Sequence, residues 1–217
     1  MNVFRTIKQF TSKGGIEGWF ATKYYEMAKH ITEEYKRIAG KVAEKITKGV
    51  ILEIGSGPAY LSIELSKLGR FKIVGLDISE TMIDIAERNV KNAGINNVSF
   101  KLGDAADMPF EDEMFDFVVS NGSLHHWKEP VKVFNEIYRV LRRDRRALIT
   151  DLRRDASKEE IEKRVRSIKS FIMRWGFKYS VKEAYTKEEI IKLIQETKFK
   201  KCEIKENPLG LEIWLKK

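Results

Sequence analysis

Apolar side chains recur every three or four positions from Gly18 to about Thr47, at Phe20, Tyr24, Met27, Ile31, Tyr35, Ile38, Val42 and Ile46. This spacing predicts one or two amphipathic helices. The pattern then changes. Val50-Ile51-Leu52-Glu53-Ile54 is a short apolar run closed by Gly55-Ser56-Gly57-Pro58, which reads as a strand entering a tight turn, with a helix over Ala59 to Leu68 behind it. Phe71 to Leu76 repeats the strand signal and stops at Asp77, after which Ser79 is placed to cap a helix through Met82, Ile83, Ile85, Ala86 and Val90.

Asn92-Ala93-Gly94 ends that helix, Val98 to Leu102 forms a third strand ending at Gly103-Asp104, and Phe115 to Ser120 forms a fourth. Pro130 opens a helix through Val133, Phe134, Ile137, Val140 and Leu141, and Ala147 to Thr150 makes a fifth strand ending at Asp151. Strands alternating with helices at this spacing predict a mostly parallel sheet covered on both faces, with its ligand beyond the carboxyl ends of the strands. Beyond Asp151 the segment from Ser157 to about Trp175 reads as helical and basic, followed by a helix over Lys187 to Thr197 and strands over Lys200 to Lys205 and Leu211 to Leu215. Only Glu206-Asn207-Pro208-Leu209-Gly210 separates those two strands, so an antiparallel edge hairpin is expected.

The predicted fold is therefore α/β, a doubly wound sheet of seven strands, mostly parallel with an antiparallel C-terminal edge hairpin. A single domain is expected, with an N-terminal helical cap over 1–48, a ligand-binding core over 49–151, a helical insertion over 152–186 and a C-terminal helix and hairpin over 187–217.

Composition narrows the classes. The 217 residues are 42% hydrophobic and 34% charged, with four prolines, which supports a buried core and excludes collagen-like and disordered chains. No apolar run approaches the length of a membrane span. Met1 to Phe10 carries Arg5 and Lys8 without an apolar stretch, so no secretory signal is read and a cytoplasmic location is expected. The single cysteine, Cys202, excludes an internal disulfide and a multi-thiolate metal site. Glutamine occurs only twice beside abundant Lys, Glu, Ile and Arg, a thermophile-like balance. The formal charge is +9, and residues 151–217 hold 18 Lys or Arg against 12 Asp or Glu. A solvated, ion-paired helix explains part of that excess; an anionic substrate or an RNA backbone is the alternative.

The chemistry concentrates at strand ends. In Glu53-Ile54-Gly55-Ser56-Gly57-Pro58-Ala59, small residues alternate at a strand-to-helix turn where a ligand can approach backbone amides. A dinucleotide fingerprint needs a third glycine where Tyr60 stands, so a different nucleotide-type cofactor is favoured over NAD. Asp77, twenty-two positions after Gly55, is placed to accept hydrogen bonds from vicinal ribose hydroxyls. Gly103-Asp104-Ala105 closes the third strand and Ser120-Asn121-Gly122-Ser123-Leu124-His125-His126-Trp127 the fourth.

In this order of motifs, over Val50 to Asp151, the chain resembles the class I S-adenosylmethionine-dependent methyltransferases, in particular the small-molecule branch with the menaquinone and ubiquinone C-methyltransferases. The resemblance implies S-adenosylmethionine as cofactor and S-adenosylhomocysteine as product. It implies Glu53, Gly55, Ser56 and Gly57 at the methionine portion, with Ala59 as the third small residue. Asp77 would bind the ribose, Ile78 would cover an adenine face, Asp104 and Ala105 would read the adenine edge, and Asn121 and Ser123 would flank the sulfonium. The chain departs from the family in the turn before the fifth strand, where Leu141-Arg142-Arg143-Asp144-Arg145-Arg146 replaces a glycine-containing loop.

His126 and His125 are the candidate catalytic bases. As neighbours they are expected to point in different directions, and no metal site is read from them. Tyr24, Tyr25, Trp127 and Arg153 are expected on the substrate side. A small-molecule acceptor is expected, with an RNA methyltransferase and a non-catalytic S-adenosylmethionine-binding sensor or partner subunit as alternatives. Acceptor atom and oligomeric state are left open.

Overall fold

The computed structural model describes residues 32–217, so Tyr24, Tyr25 and the first part of the predicted cap lie outside the described residues. The strands in chain order are β1 (Gly49–Ile54), β2 (Phe71–Asp77), β3 (Val98–Leu102), β4 (Phe115–Asn121), β5 (Leu141–Leu152), β6 (Glu203–Glu206) and β7 (Gly210–Lys216). The helices among the described residues are α1 (Thr32–Ala43), α2 (Tyr60–Ser66), α3 (Glu80–Asn92), α4 (Pro130–Val140), α5 (Lys158–Ser167), α6 (Phe171–Glu183) and α7 (Lys187–Gln195), with a 3-10 turn at Leu124–His126.

All seven strands join in the order β3-β2-β1-β4-β5-β7-β6. Neighbours from β3 to β5 are parallel, whereas β7 runs antiparallel to both β5 and β6. The sheet is the doubly wound, mostly parallel one that the strand-helix alternation predicts. Strand order reverses between β1 and β4, which places a ligand crevice at the carboxyl ends of those two strands.

Side-chain alternation divides the core into two layers. On one face Ile51, Phe117, Val119, Leu148 and Trp214 pack against Tyr35, Ile38 and Val42 of α1 and Leu61 and Leu65 of α2. On the other, Leu52, Ile54, Val118, Ile149 and Ile213 meet Phe134 and Ile137 of α4 and Ile190 and Ile194 of α7. Ile38 and Val42 are fully buried, each contributing roughly 1.5–3 kcal/mol relative to exposure. Helix α1 is also tied electrostatically: Lys41 Nζ donates to the buried Glu212 of β7 at 2.6 Å, and Arg37 donates to the same carboxylate. A buried carboxylate requires such partners.

Two elements differ from expectation. Strand β5 begins at Leu141 and takes in the arginine run that sequence assigns to a turn. A register shift between Phe115 and Phe117 accommodates the extra residues, with Asp144 at φ 59. The arginines are held by acids: Arg142 Nη1 lies 2.9 Å from both oxygens of Asp116, Arg145 lies 3.5 Å from it, and Arg143 Nε donates to Glu113 at 3.2 Å. A cleft of about 510 Å³ beside them, walled by Lys45, Lys48 and Asp116, lies at the amino ends of the strands and is remote from the crevice.

The second difference is a break at Ile168-Lys169-Ser170, which divides the stretch read as helical from Ser157 to about Trp175 into α5 and an α6 that runs on to Glu183. The Ile168 carbonyl, released at the break, accepts a bond from Arg174 Nε at 2.6 Å. Among the described residues no helix is long and apolar enough to cross a membrane.

Candidate active site

The loop after β1 bends sharply, with φ of 67 at Gly55, 49 at Gly57 and 65 at Ala59. Its first two amides donate to the Leu76 carbonyl, Gly55 N at 2.8 Å and Ser56 N at 3.2 Å, which fixes the loop to the end of β2. At Gly55 a side chain is excluded twice over: φ is left-handed, and a Cβ there would come 2.6 Å from Ser123 Cβ. The glycine loop and the segment after β4 are therefore in direct contact. Ala59 tolerates its left-handed conformation as a fully buried residue, at a strain of about 1–2 kcal/mol.

Asp77 is buried where β2 ends, and its carboxylate accepts Gly57 N at 2.8 Å through one oxygen and Ser79 N at 2.9 Å through the other. The same Ser79 caps α3, accepting Met82 N at 3.1 Å. The loop, the acid and the helix start are thus one hydrogen-bonded unit. Beyond it, Ile78 is 38% and Leu102 50% exposed. Leu102 is the register partner of Asp77, so two large, exposed apolar side chains stand at adjoining strand ends. Asp104 lies exposed past β3 and accepts Ala106 N at 2.8 Å, with Ala105 packed against the core below. Leu102 is not among the residues expected at the site from the sequence; an apolar residue one place before Gly103-Asp104 is the signal that could have marked it.

Glu53 is buried, and its carboxylate accepts the Ser62 hydroxyl. Burial is the main cause that pushes this carboxyl up to about 8; the Ser62 bond opposes the shift and the charge of Asp77 adds to it. The unfolded chain ionises the same group near 4.5. Between those values the native state holds the extra proton, so stability is fully present below about 4.5 and declines as pH rises towards 8. Glu53→Gln keeps a neutral group there. We expect its melting temperature to exceed that of the parent near pH 8 and to match it near pH 5, as read by thermal denaturation; parallel curves for the two proteins would contradict the assignment.

After β4, Asn121 accepts Thr150 Oγ1 at 2.7 Å, and Ser123 Oγ lies 2.6 Å from Ser120 Oγ, which donates to the Ile54 carbonyl at 3.0 Å. Ser56 is buried with its hydroxyl unpartnered among the described residues. The two histidines do not diverge as expected. Their rings lie together, centroids 3.9 Å apart, because the 3-10 turn folds the chain tightly. His125 Nδ1 is 2.7 Å from Asp151 Oδ1, and its backbone amide donates to Asp151 Oδ2 at 3.0 Å. Burial acts to raise Asp151, but the adjacent His125 and the amide bonds outweigh it and hold the carboxyl below the ordinary range. An ionised carboxylate only accepts, so Nδ1 carries the proton and Nε2 is left as the other ring position. Nε2 is buried and unpartnered among the described residues. His126 is pushed down to about 4 by burial and by its neighbour His125, so at neutral pH it is uncharged.

Trp127 and Arg153, expected on the substrate side, each have contacts within the protein. Trp127 packs edge-on against Phe134 of α4, ring centroids 5.5 Å apart. Arg153 is held by Asp155 at 2.8 Å and Glu206 at 2.6 Å. Among the described residues no group of His, Cys, Asp and Glu is arranged to hold a metal ion.

Comparison with known proteins places this architecture. Residues 46–207 match the family model described as a methyltransferase domain. The chain is 31% identical over 111 residues to the methyltransferase YcgJ of Bacillus subtilis, itself uncharacterized, and 34% identical over 101 residues to the demethylmenaquinone methyltransferase of Listeria welshimeri. These matches take in 51% and 45% of this chain and only 44% and 43% of the relatives' own length. A crystal structure of a candidate S-adenosyl-L-methionine-dependent methyltransferase from Methanococcus maripaludis superposes with a TM-score of 0.74 at 28% identity, covering 91% of each chain. With most of its length inside the family model and a sheet order matching the expected fold, the chain belongs to the methyltransferase domain family.

Proposed function

We propose that the chain transfers the methyl group of S-adenosylmethionine to a small-molecule acceptor, with His125 as general base. The residues present fit that cofactor. Asp77 suits the ribose hydroxyls, which donate to a carboxylate; Ile78 and Leu102 suit the adenine faces; Asp104 suits the adenine amino group. Glu53, Ser56 and the loop Gly55-Gly57 would take the methionine portion, whose ammonium would draw the Glu53 carboxyl towards ionisation. When bound, the cofactor supplies an activated methyl carbon on a cationic sulfur.

The observation that carries the reading is the contact of Gly55 with Ser123, which joins the glycine loop to the turn bearing a buried His-Asp pair. His125 Nε2 would accept the proton of an acceptor X–H as the X–CH3 bond forms and the S–CH3 bond breaks. The positive charge then gained by the imidazole is answered by Asp151, and neutral His126 adds no repulsion. Holding acceptor, methyl and sulfur in line is the larger contribution, worth about 7–11 kcal/mol in favourable systems. The Listeria relative named for demethylmenaquinone supports a small acceptor.

The test is transfer of labelled methyl from S-adenosylmethionine into a cell extract, fractionated afterwards into small molecules, RNA and protein. Label is expected among the small molecules. Label confined to RNA or protein would overturn the acceptor class, and cofactor binding without any transfer would overturn the enzymatic reading.

A further inference from the structure

Helix α6 is apolar on two sides. Val181 is buried and Met173 and Phe177 are half-buried on the inner side, which packs against α5 and against the turn carrying His125 and His126. On the other side Phe171 is 80% and Trp175 40% exposed, and Tyr179 stacks on Trp175 with ring centroids 5.6 Å apart and 15° between planes. Positions 171, 175 and 179 follow one another at four-residue steps and form a single ridge. An aromatic ridge that the described residues leave exposed, beside an already packed inner face, is a feature that a helix serving the core alone does not need.

The charges around the ridge are mostly positive, the acids beside it being Glu162 of α5, paired with Lys178, and Glu183, one turn beyond Tyr179. From Lys163 to Lys182 there are seven Lys or Arg and no Asp or Glu. Lys178 and Lys182 stand seven residues on from Phe171 and Trp175, on the same side of the helix. Lys178 is paired with Glu162 of α5 at 2.7 Å, while Arg166, Lys169 and Lys182 make no salt bridge among the described residues.

We infer that this face of α6 docks on an anionic lipid bilayer, with Phe171 and Trp175 entering the acyl boundary and the lysines meeting lipid headgroups. Exposed aromatics flanked by basic side chains, on a helix too short to span, suit the boundary between lipid headgroups and acyl chains. Each basic side chain near such a surface adds attraction that falls with salt. RNA is a poorer match: Phe171 offers no hydrogen bond, and Trp175 and Tyr179 stack on each other instead of standing apart to receive bases. The docking itself stands without the methyl-transfer reading.

The test is co-sedimentation of the full chain with vesicles of phosphatidylcholine alone and with vesicles in which about a third of the lipid is phosphatidylglycerol. Strong binding to the second and weak binding to the first is expected, and Phe171→Ser with Trp175→Ser should lower the partition coefficient about tenfold or more with no change in melting temperature. Lys178→Ser with Lys182→Ser should weaken binding and reduce its salt dependence. Absence of binding to the anionic vesicles, equal binding by parent and aromatic double variant, or retention on RNA in place of vesicles would overturn the proposal. Cofactor affinity measured on the same preparations separates this result from the methyl-transfer reading, because the aromatic variant is expected to lose vesicles and keep cofactor.

Discussion

His125→Ala is expected to lower kcat by roughly 10²–10⁴-fold, the usual contribution of a positioned base, while cofactor affinity by calorimetry stays within about twofold. Asp151→Asn is expected to follow it. Asp151 is a positioning residue: it receives Nδ1 of His125 at 2.7 Å and the His125 and Leu152 amides at 3.0 and 2.7 Å. An amide in its place can donate as well as accept, so the imidazole is no longer confined to the tautomer that leaves Nε2 open. It also removes the negative charge that stabilises the protonated ring. The two defects should therefore appear in kcat and in an altered pH profile, with KM for the cofactor unmoved. A merely structural role would lower the melting temperature and leave the shape of the profile intact. Full turnover in both variants would remove the pair from the mechanism, and His126→Ala, which alters an uncharged neighbour, should have the smaller effect.

The second large effect is on binding. Asp77→Ala should weaken S-adenosylmethionine on the order of 100-fold, since a carboxylate accepting from ribose hydroxyls contributes about 1.5–3 kcal/mol per charged bond. Part of the loss will come through the protein, because the same carboxylate holds the amides of Gly57 and Ser79. Asp77→Asn separates the two contributions: its carbonyl can still accept one amide, so loop geometry is better kept while the charge is gone. Calorimetric titration of parent and both variants gives the order expected, parent tightest and Ala weakest. Equal affinities would show that the ribose sits elsewhere.

Much of this architecture can be read before any coordinates, and the reason is geometric. Central strands such as β1 and β4 are buried on both faces, so they stand out as short, mostly apolar runs, and the residues that end those runs lie at the crevice end of the sheet. Asp77 and the loop at Gly55 are visible for that reason. The His125-Asp151 pair is not, although both residues are in plain view. They are 26 positions apart, and what brings them together is the register of β4 on β5, in which Asn121 faces Thr150 and Asp151, the next residue of β5, comes beside the turn that follows β4. Leu102 was hidden differently, since exposure of an apolar side chain is a property of its surroundings and not of the run in which it sits. The arginine run at the start of β5 also escaped, because clustered charge reads as a turn, whereas Asp116 and Glu113 supply ion-pair partners for the residues between the paired positions Leu141 and Arg146.

The position of β7 has a consequence for how the molecule is made. Its residues, 210–216, are inserted between β5 and β6, with the Ala147 to Asp151 stretch of β5 along one side. Until those residues arrive, β5 presents an unpaired, apolar edge, open to any other extended chain nearby. Contacts between β5 and β7 also join segments far apart in the sequence, the kind of closure that is slow to form. During synthesis the parallel strands β1 to β5 can assemble first and must then wait, so the interval before β7 slots in is the time when this protein is most in need of a chaperone. Shortening the chain within 210–216 should extend that interval indefinitely, turning a nearly complete sheet into an aggregating one.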